Sequence, residues 1–99
     1  MTIEKKLEGE KLTLALEGRL DTTTAPKLQE VLIPALGETS DLNLDFSGLA
    51  YVSSAGLRVL LMGQKTAKGK GVNLTVSHVS DEIMEVLEMT GFSEMLTIV

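Results

Sequence analysis

Two adjacent serines, Ser53 and Ser54, stand in the run DFSGLAYVSSAGLRVLL, residues 45–61, where an apolar strand hands over to an apolar helix. A serine hydroxyl at that point has two possible uses. It can cap the helix by accepting a hydrogen bond from an amide two or three residues on. It can also take a phosphoryl group, because the unpaired amides and dipole of a helix start favour an anion. About two added negative charges would change what docks on the helix tip without refolding the domain. Gly56 falls in the same first turn. Glycine there costs a helix about 1 kcal/mol relative to alanine. Its missing side chain lets another backbone approach closely. The trio therefore predicts either a pair of plain caps or a docking tip that carries a switch.

Other chemistries find less support. The nucleophile elbow G-x-S-x-G is absent, since Tyr51 and Val52 precede the serines. His78 is the only histidine and follows a strand, which reads as a loop residue. With one histidine, no cysteine and acids scattered along helix faces, no metal site is expected. GQKTAKGKG, from Gly63 to Gly71, fails as a phosphate loop. Five residues separate Gly63 from Gly69 where the motif needs four, and Lys70 precedes Gly71. The stretch leaves a helix, and its lysines suit the negative end of the dipole. Glu82, Glu85 and Glu88 read as a solvated face, and the methionines near the C-terminus as core filler. No cofactor is expected.

The elements that position the serines follow from periodicity. Ile3 and Leu7, a turn at Gly9, then Leu12, Leu14 and Leu16 predict a β-hairpin. Asp21 to Thr24 form a cluster of capping residues, and Pro26 fits a first helical turn. Leu28, Val31 and Leu32 share one helical face, and Pro34 should end or kink that helix. Leu42, Leu44 and Phe46 alternate as a third strand. The helix after Ala55 buries Leu57, Val59, Leu60, Leu61 and Met62, and Gly69 and Gly71 stop it. Val72, Leu74 and Val76 make a fourth strand. Ser80 caps a last long helix with Ile83, Val86 and Leu87 inside, and Leu96 to Val99 could form a short final strand. The order is ββαβαβα(β), an α/β domain over residues 1–99. Strand–helix–strand units imply parallel pairing. The alternating strands predict a mixed four- to five-stranded sheet with helices mainly on one face and the other face solvated.

Composition bounds the partners. The 99 residues amount to one domain, carry a net charge of −5 and include three aromatics, Phe46, Tyr51 and Phe92. An acidic chain without stacking platforms is a poor nucleic-acid binder. MTIEKKLEGEK is too charged for a signal peptide, and no apolar run approaches a membrane span, so a cytoplasmic domain without membrane insertion is expected.

The run at residues 45–61 resembles the central signature of the STAS domain, the fold of bacterial anti-sigma factor antagonists. That pattern has an acidic residue ending a strand, Ser-Gly, an aromatic, two polar residues, a small residue and Gly-Leu. Here these are Asp45, Ser47, Gly48, Tyr51, Ser53, Ser54, Ala55, Gly56 and Leu57. GRLDTTTAPKLQEVL, from Gly18 to Leu32, resembles the family's other signature, and the element order matches over essentially the whole chain. The resemblance implies a phospho-regulated binding module that is not an enzyme. Its unmodified form would hold an anti-sigma factor that is also a serine kinase. Phosphorylation of the serine aligned with Ser54 would release it, and a metal-dependent serine phosphatase would reset it. The implied binding face joins Asp21, Thr22 and Thr23 to Ser53, Ser54, Ala55, Gly56 and Leu57. Well-studied antagonists carry Asp where this chain has Ser53, which leaves Ser53 as an alternative acceptor.

The short chain favours this reading over the STAS segments that follow the membrane spans of anion transporters. A second reading, from a different class, is a small STAS subunit that stabilises an ABC-type lipid transporter or another assembly without phosphorylation. A third, nucleotide binding, has no phosphate motif behind it.

Overall fold

The computed structural model describes residues 1–99. Strands β1 (Thr2–Glu8) and β2 (Lys11–Leu20) form the hairpin. Helix α1 (Ala25–Ala35), strand β3 (Asp41–Val52), helix α2 (Ser54–Lys70), strand β4 (Asn73–Ser77), helix α3 (Asp81–Thr90) and the short helix α4 (Phe92–Met95) follow. The sheet order is β1-β2-β3-β4, with β1 antiparallel to β2 and the other pairs parallel.

Strand alternation decides where the core lies. Leu12, Leu14 and Leu16 of β2 pair in register with Leu7, Lys5 and Ile3 of β1, while Leu42 and Leu44 of β3 face Leu74 and Val76 of β4. These buried leucines and valines join Leu28 and Leu32 of α1, Leu57 and Leu60 of α2, and Ile83 and Leu87 of α3 in one cluster of 23 residues. Phe46 is its only aromatic, so the core is aliphatic as composition predicts. Helices α1 and α2 pack tightly where a Cβ on Gly63 would lie 2.6 Å from Leu32 Cδ2.

The opposite face carries Thr13, Asn43 and Thr75 in one cross-strand row. It is polar, but its centre is not solvated. Asn43 is only 6% exposed. Its amide nitrogen donates to Thr75 Oγ1 at 2.9 Å and its carbonyl oxygen accepts from Ser77 Oγ at 3.0 Å. Satisfying both ends is what makes a buried amide tolerable there.

Local expectations change at the end of β3, in the last segment, and at Met89 and Met95, which read as core filler in the sequence and are exposed in the fold. Strand β3 runs to Val52 instead of stopping near Phe46. Its buried positions step by two through Leu42, Leu44 and Phe46, then by three to Leu49 and to Val52. Each step of three coincides with a register shift against β2, one between Ala15 and Glu17 and one between Gly18 and Arg19. Each β-bulge adds a residue to β3 and hides the strand from a period-two reading. Pro34 ends α1 as expected: it lies in the last turn, and the helix stops one residue later at Ala35. A proline in the last turn removes one hydrogen bond without cutting a longer helix. The last segment does not make a full fifth strand. It meets β4 through one parallel bridge, Val76 to Ile98, in which Val76 N donates to Thr97 O and Val99 N to Val76 O. Helix α4 takes up the chain before it.

Candidate functional site: the serine-tipped helix and the Asp21 loop

The two signature segments meet at one end of the parallel strands. In the register set by the second bulge, Arg19 pairs with Tyr51 and Leu20 with Val52. Ser53 N then donates to Leu20 O at 2.9 Å, tying the start of α2 to the end of β2. The loop after β2 therefore sits beside the tip of α2.

The two serines have different jobs. Ser53 is the N-cap of α2, with extended backbone at φ −98° and ψ 174°. Its Oγ accepts from Gly56 N at 3.3 Å, and its carbonyl accepts from Leu57 N at 2.9 Å. Ser54 is the first helical residue and its side chain is exposed. Ser53→Ala should therefore lower stability by about 1 kcal/mol, the usual cost of a lost cap. Ser54→Ala should leave it within about 0.5 kcal/mol of the parent, as an exposed substitution does. Urea unfolding of the two variants distinguishes them, and equal losses would contradict the assignment of the cap.

Asp21 organises its loop. Its Oδ1 accepts from Thr23 N at 3.0 Å, Thr23 Oγ1 at 2.7 Å and Thr24 N at 3.2 Å. Its carbonyl accepts from Ala25 N at 2.8 Å, at the first residue of α1. Thr24 closes the ring: its hydroxyl accepts from Asp21 N and donates to Arg19 O, both at 2.8 Å. The Thr23 hydroxyl is the main reason the Asp21 carboxyl sits below its ordinary range, helped by the Thr23 and Thr24 amides and opposed by desolvation. Thr22 and Thr23 are exposed at the loop's crown.

Gly56 and Leu57 depart from the expected binding face. Both are buried, Leu57 to 6% exposure. A Cβ on Gly56 would lie 2.6 Å from Leu20 Cγ and 3.1 Å from Leu20 O. The close approach that glycine permits is thus internal, between α2 and the end of β2. Ala55 is half-buried beside them. The accessible tip consists of Asp21, Thr22, Thr23, Ser53, Ser54 and the outer side of Ala55.

The acidic residue of the signature is also structural. Asp45 Oδ1 accepts from Ser47 N at 2.9 Å, at the first bulge, and lies 3.1 Å from His78 Nδ1. Partial burial pushes the Asp45 carboxyl up, but the Ser47 bonds and His78 outweigh it and leave it lowered. His78 has a left-handed backbone, φ 56°, in the turn after β4. The lysine-rich run around Gly69 ends α2 in a left-handed cap at Gly71, as a helix end should.

One pair at this rim was not singled out from sequence. The Arg19 guanidinium carbon lies 4.1 Å from the centre of the Tyr51 ring. Arg19 Nε is 3.9 Å from Asp21 Oδ2. Only the bulged register reveals this pair. Counted by simple alternation from Ala15 and Asp45, Arg19 would face Leu49 and not Tyr51.

No helix of the chain is long and apolar enough to cross a membrane. The family model described as "Mlab, STAS domain" matches residues 3–97. A Staphylococcus epidermidis protein named anti-sigma-B factor antagonist is 31% identical over 80 residues, which span 80% of this chain and 74% of the relative. Among solved structures, a putative anti-sigma factor antagonist from Thermotoga maritima superposes with a TM-score of 0.89 at 16% identity, covering 97% of this chain and 84% of the other. The Bacillus cell fate determinant SpoIIAA in its phosphorylated form superposes with a TM-score of 0.76 at 15% identity, covering 99% and 91%. Fold, signatures and relatives agree: the chain belongs to the STAS-domain family of anti-sigma factor antagonists.

Proposed function

We propose that this protein is a phospho-switched binding module that captures an anti-sigma factor with serine kinase activity. Ser54 is the acceptor. The observation that carries this reading is the division of labour at the helix tip: the Ser53 hydroxyl is occupied as the cap, while Ser54 stands exposed one residue on. In the unmodified state the helix tip and the Asp21 loop present a polar surface of hydroxyls around one carboxylate, Asp21. Phosphorylation places about two negative charges on that surface. The helix N-terminus tolerates them, so the fold persists. A partner surface built to lie against a hydroxyl does not tolerate them, and the complex dissociates. A serine phosphatase then restores the binding form. The protein is a substrate in this cycle and not a catalyst. That a relative bears the antagonist name, and that SpoIIAA has been solved with its phosphoryl group, supports the reading. The relatives that bear the antagonist name favour this reading over the assembly-subunit one.

The test is direct binding. The candidate partner is a kinase-type anti-sigma factor encoded in the same genome. Titrated with the unmodified protein in a calorimeter, it should bind with a dissociation constant in the micromolar range or tighter, about −8 kcal/mol or better. Heat signals at the level of buffer dilution would overturn the proposal.

A further inference from the structure

The rim carries an ordered cation next to the proposed tip. Arg19 lies over the Tyr51 ring at 4.1 Å, with its side chain 62% exposed. Tyr51 is itself 40% exposed. Their neighbours Leu20 and Val52 point into the core, so alternation turns Arg19 and Tyr51 toward the open face of the sheet. Ser54 begins the helix that covers the core face. The docking surface therefore has two sides, joined over the rim by the Asp21 loop.

The chemistry of Arg19 indicates what it is for. The cation–π contact with the ring restricts the guanidinium, so less side-chain freedom remains to be lost on binding. The one carboxylate within 4 Å of it, Asp21, has its Oδ1 occupied by Thr23 and Thr24, and its Oδ2 at 3.9 Å from Nε makes a long ion pair without a hydrogen bond, which leaves the guanidinium N–H groups open to a partner. A stacked guanidinium matches a carboxylate through two parallel N–H···O bonds. Arginine and tyrosine are also among the residues that most often dominate protein interfaces. A chain of net charge −5 repels acidic partners in general, so a fixed cation at the rim sets the register of one acidic residue.

We propose that the Arg19–Tyr51 stack is the specificity anchor of the docking surface and receives an Asp or Glu carboxylate of the partner. The inference rests on the proposed function above and names the partner chemistry of that same surface. Arg19 is a positioning and recognition residue, with no part in phosphoryl transfer.

The test measures the affinity of the kinase-type anti-sigma factor for wild type, Arg19→Ala, Arg19→Lys, Arg19→Glu and Tyr51→Leu, at low and high salt. Arg19→Ala should weaken binding about 30-fold, and Arg19→Glu about 100-fold or more. Arg19→Lys should recover only part of the loss, because an ammonium neither stacks nor forks. Tyr51→Leu should fall between lysine and alanine. The wild-type affinity should fall more steeply with salt than that of Arg19→Ala. Reversing the matching partner carboxylate to Lys should restore binding to Arg19→Glu. Thermal unfolding should place all variants near wild type, since both side chains are exposed. If wild type binds and Ser54→Asp does not, while every Arg19 variant binds within twofold of wild type, the anchor is wrong and the switch stands. If wild type does not bind, both fall.

Discussion

Gly56→Ala should destabilise this domain by about 1–3 kcal/mol, although alanine is the better helix former by about 1 kcal/mol. The two effects have opposite signs, and distance decides between them. An added Cβ would lie 2.6 Å from Leu20 Cγ, 2.9 Å from Leu20 Cδ2 and 3.1 Å from Leu20 O. Leu20 is fully buried, so its side chain has nowhere to retreat, and the carbonyl belongs to the strand that ties down Ser53. In a domain of about 100 residues each kcal/mol moves the melting temperature by roughly 4–8 °C. A leucine at this position should do more damage and take partner binding with it, through loss of the docked helix start rather than a block at the surface. A double-mutant cycle with Leu20→Ala checks the cause. Leu20→Ala alone leaves a cavity and costs about 2–5 kcal/mol, but it opens the space the new methyl needs. The combined loss should fall well short of the sum. A melting temperature for Gly56→Ala above that of wild type would contradict the internal packing role.

Ser54→Asp should weaken capture of the anti-sigma factor by about 100-fold or more while the melting temperature stays within a few degrees of wild type. Burying an unpaired carboxylate in an interface made for a hydroxyl carries a penalty of several kcal/mol. In the free protein the same carboxylate lies in the first turn of α2, where the dipole favours it by about 0.3–1 kcal/mol. Affinity and stability should therefore move independently. Ser54→Ala should bind as tightly as wild type and escape regulation. Ser53→Asp gives the contrast, because aspartate also caps helices. Calorimetric titration of the three variants reads out the ranking, and equal affinity of Ser54→Asp and wild type would sink the switch.

The helical parts of the chain were legible because their signals are local. Ser80 caps α3, Gly71 and Gly91 end α2 and α3 in left-handed conformations, and the leucine spacing marks the buried faces. The hairpin and the one-sided sheet were legible for the same reason. The end of β3 was not, because two bulges replace a period of two by steps of three, and only pairing with β2 shows that the strand continues. The site was half legible. The serine pair and the Asp21 loop stand out as cap-forming residues, yet sequence leaves open which serine is the cap. Hydrogen bonding separates them: Gly56 N finds Ser53 Oγ. Gly56 itself reads as a surface feature in sequence and is a packing feature in the fold, because its contact, Leu20, lies 36 residues away in the chain. Arg19 was invisible for the same reason as the strand end: its partner Tyr51 is fixed by register and not by spacing.

The most direct measurement is phosphosite mapping by mass spectrometry on this protein isolated from its own cells, beside Ser53→Ala and Ser54→Ala versions expressed at the same level. The account predicts one phosphoryl group on Ser54, kept when Ser53 is replaced and lost when Ser54 is replaced. A phosphoryl group on Ser53, or none on either serine under any growth condition that engages the anti-sigma factor, would contradict it.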